Sequence, residues 1–245
     1  MKVLVIPDIH LQKWIFYIAH EIMQRSGCDI DRIVVLGDVV DSHENGENLD
    51  LFAETFDAAL EFARKYKDKL IWLHGNHEIS YLDYRCNCKP HNYEAEPMVH
   101  EYIRDLKETL GKDILVAARI DSVLFSHAGI TEWYGYPNYS ANYPNDWEWD
   151  VVIDTINNTR YNELWEPRSP IWFRPDGISL TYKLGGCLQV AGHTPLKRPY
   201  LSQNLLLTDT FHEGCAKLFP IIDTETHQIL FMSEGFYLIT DPLLS

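Results

Sequence analysis

The sequence predicts a mixed α/β domain in which two packed β-sheets are flanked by helices, an αββα-type sandwich. Three observations predict it. The first half alternates short, continuously apolar, β-branched runs with stretches of helical periodicity, the pattern of strands covered on both faces by crossover helices. The second half strings short apolar runs together with few helical patterns between them, which reads as further sheet. Finally, Asp, His or Asn stands just after the end of strand after strand, on the rim where open α/β sheets bind ligands.

Each element has its own reason. Val3 to Ile6 is apolar without alternation and stops at Pro7-Asp8, so it reads as a fully buried strand. A helix follows from about Lys13 to Arg25, with Ile15, Ile18, Ala19 and Ile22 on one face. Arg32 to Leu36 is a second buried strand, ending at Gly37-Asp38. Leu49 to Tyr66 is a long helix striped by Phe52, Phe56, Leu60 and Ala63. Leu70 to Leu73 is a third strand, ending before Gly75-Asn76, and Glu96 to Leu110 is a helix. Strands are then expected at Ile114 to Ala118, Ser122 to Ser126, Cys187 to Ala191, Leu205 to Thr208, Ala216 to Ile222 and Gln228 to Met232.

Composition limits the possibilities. At 245 residues and 46% hydrophobic, without a Gly/Ser linker, charge block or repeat, residues 1–245 read as one domain with a sizeable core. A net charge of −15 offers no basic face for long nucleic acid or an anionic membrane. Carboxylates gathered around divalent cations would count as negative in that tally, so small phosphate esters stay open as partners. Five scattered cysteines do not form a disulfide framework. The N-terminus is too short for a signal h-region, and no run approaches the ~18 apolar residues of a membrane span. The expected location is the cytoplasm.

The polar residues at the strand ends form a constellation. Asp8-Ile-His10 places an oxygen and a nitrogen ligand on alternate residues; Gly37-Asp38-Val-Val-Asp41, Gly75-Asn76-His77-Glu78, Phe-Ser-His127-Ala-Gly and Val-Ala-Gly-His193-Thr follow. Mixed N/O donors without cysteine suit Mn, Fe, Zn, Ni or Co better than calcium. Six ligands exceed what one four-coordinate ion with an open position needs. They suit two ions sharing a carboxylate, roughly 3.5–4 Å apart, which can hold a hydroxide between them and clamp an in-line displacement at phosphorus.

This ordered series, spanning residues 8 to 194, resembles the calcineurin-like metallophosphoesterases. The resemblance implies that Asp8, His10 and Asp38 hold a first ion, that Asp38 bridges, and that Asn76, His127 and His193 complete a second. It also implies that His77, oriented by Asp41, is the general acid for the leaving alkoxide, a task suited to imidazole. Thr194-Pro195 after His193, with Gly-Asn-His-Glu and Ser-His-Ala-Gly, resembles the phosphoprotein phosphatase branch, which includes bacterial Ser/Thr phosphatases and symmetrical dinucleoside tetraphosphatases. Two positions depart from it: Leu11 stands where that branch has Gly, and Ser42 where it has a phosphate-binding Arg. Arg174, in Ile-Trp-Phe-Arg-Pro, is the substitute phosphate binder, with Arg168 in reserve.

The expected reaction is hydrolysis of a phosphomonoester, protein-borne or small. A dinucleoside polyphosphate or another nucleotide is the alternative, and a metal-bound interaction protein with weak catalysis the second. Segments 79–100 and 131–176 are candidate caps or inserts over the site. Cys86-Asn-Cys88-Lys-Pro-His91 reads as an exposed loop with ordinary thiols; a small zinc clip, with His100 as a fourth ligand, is the other reading. The aromatic run 133–149 reads as a loop packing its own rings, or as a base-stacking surface. Asp209 reads as structural, and His20, His212 and His227 as surface or satisfied polar residues.

Overall fold

The computed structural model describes residues 1–25, 29–135, 146–175, 187–202, 204–233 and 238–239. Strands β1 (Lys2–Ile6), β2 (Arg32–Val35) and β3 (Leu70–Trp72) pair in parallel, joined by crossover helices α1 (Trp14–Gln24) and α2 (Leu49–Tyr66). β9 (Leu218–Asp223), β10 (Ile229–Ser233) and β11 (Leu238–Ile239) extend this sheet antiparallel beyond β1, giving the order β11-β10-β9-β1-β2-β3. The second sheet has the order β4-β5-β6-β8-β7, built from β4 (Ala117–Ile120), β5 (Val123–Ser126), β6 (Leu188–Ala191), β7 (Tyr200–Ser202) and β8 (Leu205–Leu207). Within it β5, β6 and β8 are parallel.

The strand pleat sorts the core into layers. Val3, Val5, Val34 and Leu36 point inward and pack with Val123, Phe125, Leu188 and Val190 of the opposite sheet. Leu4, Ile6, Ile33 and Val35 point outward into a second core with α1, α2 and α4 (Glu96–Leu110). Leu124 and Ala117, on the outer face of the second sheet, pack under Trp149, Val152, Ile153 and Ile156 of α6 (Asp146–Asn158). Helix, sheet, sheet, helix is the predicted sandwich.

The two long helices keep the bounds read from sequence because their signals are complete. Asn48 caps α2 by accepting the Leu51 N–H at 3.3 Å. α4 stops at Gly111, whose φ of 64° few other residues adopt cheaply. Three expectations change. The strand expected at Ile114 begins only at Ala117. Leu115 pairs instead with the β3 edge of the first sheet, donating its N–H to the Trp72 carbonyl at 2.9 Å and accepting the His74 N–H at 2.7 Å. The chain then crosses to the second sheet at Val116 and Ala117, whose N–H groups the Asn157 side chain of α6 takes at 2.8 and 3.0 Å. A short helix, α3 (Asn76–Leu82), lies where the sequence assigned no element. Both described ends of the aromatic run are also helical, as α5 (Glu132–Gly135) and as the start of α6, where its β-branched Val151, Val152 and Ile153 hide the helical signal. Residues 136–145 of that run lie outside the described residues. Among the described residues no helix is long and apolar enough to cross a membrane.

Candidate metal centre and active site

The carboxyl ends of β1, β2, β3, β5 and β6 meet at one rim. The turn residues there are strained: His10, Asp38, Asp41 and His193 all have φ between 45° and 63°, backbone that costs on the order of 1 kcal/mol or more per non-glycine residue and collects at functional sites. Leu11 shares this conformation, with φ 60°. That is the physical reason glycine suits the position.

Asp38 is the hub. Its Oδ1 accepts the His77 backbone N–H at 3.0 Å. Its Oδ2 faces the Nε2 atoms of His10 at 3.8 Å and of His127 at 3.2 Å. Both imidazoles are turned by their other nitrogen: His10 Nδ1 faces the Asp41 carbonyl at 3.3 Å, and His127 Nδ1 the Leu36 carbonyl at 2.9 Å. Donation from Nδ1–H to a carbonyl aims Nε2 at Asp38, so that loss of the Nε2 proton would expose a lone pair there, the arrangement a metal ligand needs. His127 Nε2 also lies 3.0 Å from Asn76 Oδ1 and 3.2 Å from His193 Nδ1. Two donor groups result: His10, Asp38 and His77, and Asp38, His127 and His193. Asp38 belongs to both.

Asp8 is buried beside them, its carboxylate accepting the His193 backbone N–H at 2.9 and 3.1 Å. A Cβ on Gly192 would overlap Asp8 Oδ1, and one on Gly75 would overlap Asp38 Oδ1. Glycine is therefore required where the backbone presses against each carboxylate.

The electrostatics call for a cation. Burial, then Asp209, push the Asp8 carboxyl well above its ordinary range. Burial works against Asp38 as well, but His127 and His77 hold it well below the ordinary range. Burial also opposes a proton on His127, yet Asp38 and Asp8 raise its pKa to about 9. The protein's own charges thus place positive charge on the spot where an ion would neutralise both carboxylates. His193 Nε2 is buried with no hydrogen-bond partner. Each of the two donor groups could hold a metal ion.

His77 stands over this centre. Its Nδ1 is 3.0 Å from Asp41 Oδ2, and both side chains are buried. Burial opposes its charge, but Asp38 and Asp41 hold its pKa well above the ordinary histidine value.

The sequence matches the family model of the calcineurin-like phosphoesterases over residues 1–233. The chain is a calcineurin-like phosphoesterase. No curated protein matches it closely enough to add to this. The fold of the phosphoesterase is similar to that of a cold-active protein-tyrosine phosphatase from a psychrophilic Shewanella species, with 17% identity, 98% of this chain and 80% of that chain covered, and a TM-score of 0.60. It is also similar to a protein serine/threonine phosphatase from Saccharomyces cerevisiae, with 15% identity, 91% and 72% covered, and a TM-score of 0.52. At such identities the similarity is one of fold.

The remaining sequence candidates of this phosphoesterase fall out as follows. Arg174 is exposed, and its charge is among the causes, after burial and His127, that depress the His193 pKa. Arg168 is occupied at 4.2 Å over the Trp133 ring and 3.6 Å from Glu166. Asp209 is buried and pairs with His212 at 2.8 Å. His20 bonds Tyr66 at 2.7 Å, and His227 lies 2.6 Å from Ser122. The thiols of Cys86 and Cys88 are buried, not exposed as expected. Cys88 Sγ packs 3.4 Å from His77 Nδ1, His91 stacks on Tyr81, and His100 bonds the Tyr81 carbonyl. Those contacts engage Cys88, His91 and His100 separately, and Cys86 packs in the apolar cluster under α6.

Sequence reasoning missed three residues. His43 is exposed at the mouth, its ring 6.4 Å from both His10 and His77. Its place just after Asp41 was the available signal. Tyr81 bonds Asp41, a contact between residues 40 apart that no local pattern announces. Glu78 was read as part of a motif without a role; its carboxylate accepts the backbone N–H groups of Asp38, Val39, Val40 and Gly75. It thereby locks the β2 turn to the start of α3.

Proposed function

We propose that this phosphoesterase hydrolyses phosphomonoesters with the help of two divalent ions, manganese first among them, in the cytoplasm. The observation that carries the reading is that Asp38 belongs to both donor groups, directly beside the buried His77–Asp41 pair. Asp8, His10 and Asp38 would hold one ion, and Asp38, Asn76, His127 and His193 the other. Bound there, the ions supply Lewis-acid activation of the attacking water and neutralise the charge on phosphorus oxygens. His77 gives its proton through Nε2 to the departing alkoxide, while Asp41 keeps Nδ1–H engaged and stabilises the charged ring. Arg174, exposed near His193, is the candidate partner for the non-bridging oxygens of a monoester dianion. We also take residues 1–245 as one catalytic domain, with 79–100 and 131–176 shaping the mouth.

The nucleotide alternative draws no support from the described aromatics before α6, since the Arg168 guanidinium lies over the Trp133 ring and Tyr134 packs on the core under α6 with its O–H donated to the Glu163 carbonyl. The deciding experiment is hydrolysis by metal-stripped protein with Mn, Zn, Fe(II), Ni, Co or Mg added back. Its substrates are an aryl monoester, an aryl diester, a phosphopeptide and a dinucleoside tetraphosphate. Metal-dependent, chelator-sensitive turnover of the monoesters is expected. Turnover confined to the diester or the dinucleotide would overturn the monoester reading, and no turnover by protein holding two ions would overturn the reaction.

A further inference from the structure

We infer that Tyr81 is a positioning residue for the catalytic acid, clamping the Asp41 carboxylate so that it holds His77 in one orientation. The inference rests on the reading of His77 as the acid.

A carboxylate that holds an imidazole by one oxygen can still rotate about its Cβ–Cγ bond and offer the other. In Asp41 that freedom is removed. Oδ2 faces His77 Nδ1 at 3.0 Å, while Oδ1 accepts the Tyr81 O–H at 2.6 Å. A phenol has one proton, and the short contact assigns it to Asp41. The weaker contact of Tyr81 Oη with the Asn92 carbonyl, at 3.4 Å, is then secondary.

Tyr81 is itself fixed from three sides. Its Oη accepts the Asn92 N–H at 2.8 Å, its ring lies flat on His91 at 4.0 Å and 16°, and it is 3% exposed. Asn92 in turn donates through Nδ2 to the Gly46 carbonyl at 2.8 Å, tying this segment to the loop that follows Asp41. Cys88 Sγ lies 3.4 Å from the same His77 Nδ1 that faces Asp41. The Cys86 to His91 stretch, which looked like a metal clip, is therefore the wall behind the acid pair. Its two thiols and its imidazole are spent on burial, packing and stacking.

The experiment compares Tyr81→Phe with the parent protein, both loaded with two ions, on two monoesters. An alkyl phosphate needs a proton on its leaving group; para-nitrophenyl phosphate hardly does. The variant keeps the ring and its stack on His91. With one hydrogen bond to a charged group removed, kcat on the alkyl ester should fall about tenfold. On the aryl ester kcat should change less than about twofold, with KM and metal content unchanged. Adding Tyr81→Phe to Asp41→Asn should cause no further loss, because Tyr81 acts through Asp41. Equal losses on both esters, a lost ion, no loss at all, or full additivity with Asp41→Asn would each overturn the assignment. Parent protein that turns over neither ester with any of the ions would instead remove the proposed reaction, and the positioning role with it.

Discussion

Glu78→Gln tests how the site is held together. The Glu78 carboxylate is 3% exposed and accepts four backbone N–H groups: Oε2 those of Asp38 at 2.9 Å and Gly75 at 2.8 Å, Oε1 those of Val39 at 2.6 Å and Val40 at 3.2 Å. In glutamine one of these oxygens becomes an NH₂ group. Whichever way the amide is turned, two buried N–H donors face another donor. Stripping a buried donor costs about 1–3 kcal/mol, so two cost about 2–6 kcal/mol before relaxation. Part is returned, because the negative charges of Glu78 and Asp38 repel each other. A net loss of about 3 kcal/mol is expected, or about 6–12 °C in Tm for a chain of this size. Urea unfolding and metal analysis after dialysis measure it. The Asp38 turn should loosen, so fewer than two ions per chain should remain. A variant within about 1 kcal/mol of the parent, holding both ions, would refute the argument that this carboxylate locks the β2 turn to α3.

The other expectations concern the centre itself. Gly192→Ala places a methyl group against Asp8 Oδ1, so the first ion should bind about 10–100-fold more weakly; metal titration at parent affinity would rule out this close approach. His77→Ala should retain both ions and lose about 10²–10⁴-fold in kcat on alkyl esters, with little loss on para-nitrophenyl phosphate. Because His77 also lies within reach of His10 and Asp38, loss of one ion in that variant would recast it as a ligand. Arg174→Ala should raise KM for a monoester about tenfold; an unchanged KM would return Arg174 to the ordinary surface.

The sequence by itself determined the layers and the rim. Short, β-branched apolar runs that stop at a turn residue, such as Val3 to Ile6 before Pro7, read as strands covered on both faces, and stripes such as Phe52, Phe56, Leu60 and Ala63 read as helices lying on them. Because strand ends in such a sheet share a rim, residues as distant as Asp8 and His193 could be assigned to one place, and the structure brings them into hydrogen-bond contact. What local pattern did not contain was left to the tertiary structure. α3 is only seven residues long, too short for periodicity to show. The bonds of Glu78 to the β2 turn and of Tyr81 to Asp41 join residues about 40 positions apart. Neither the burial of Cys86 and Cys88 nor the nitrogen each imidazole presents can be read from spacing. Periodicity records which face of an element is dry, and it fixes the fold. A hydrogen bond between two loops depends on where both loops finally lie, and only the packed chain decides that.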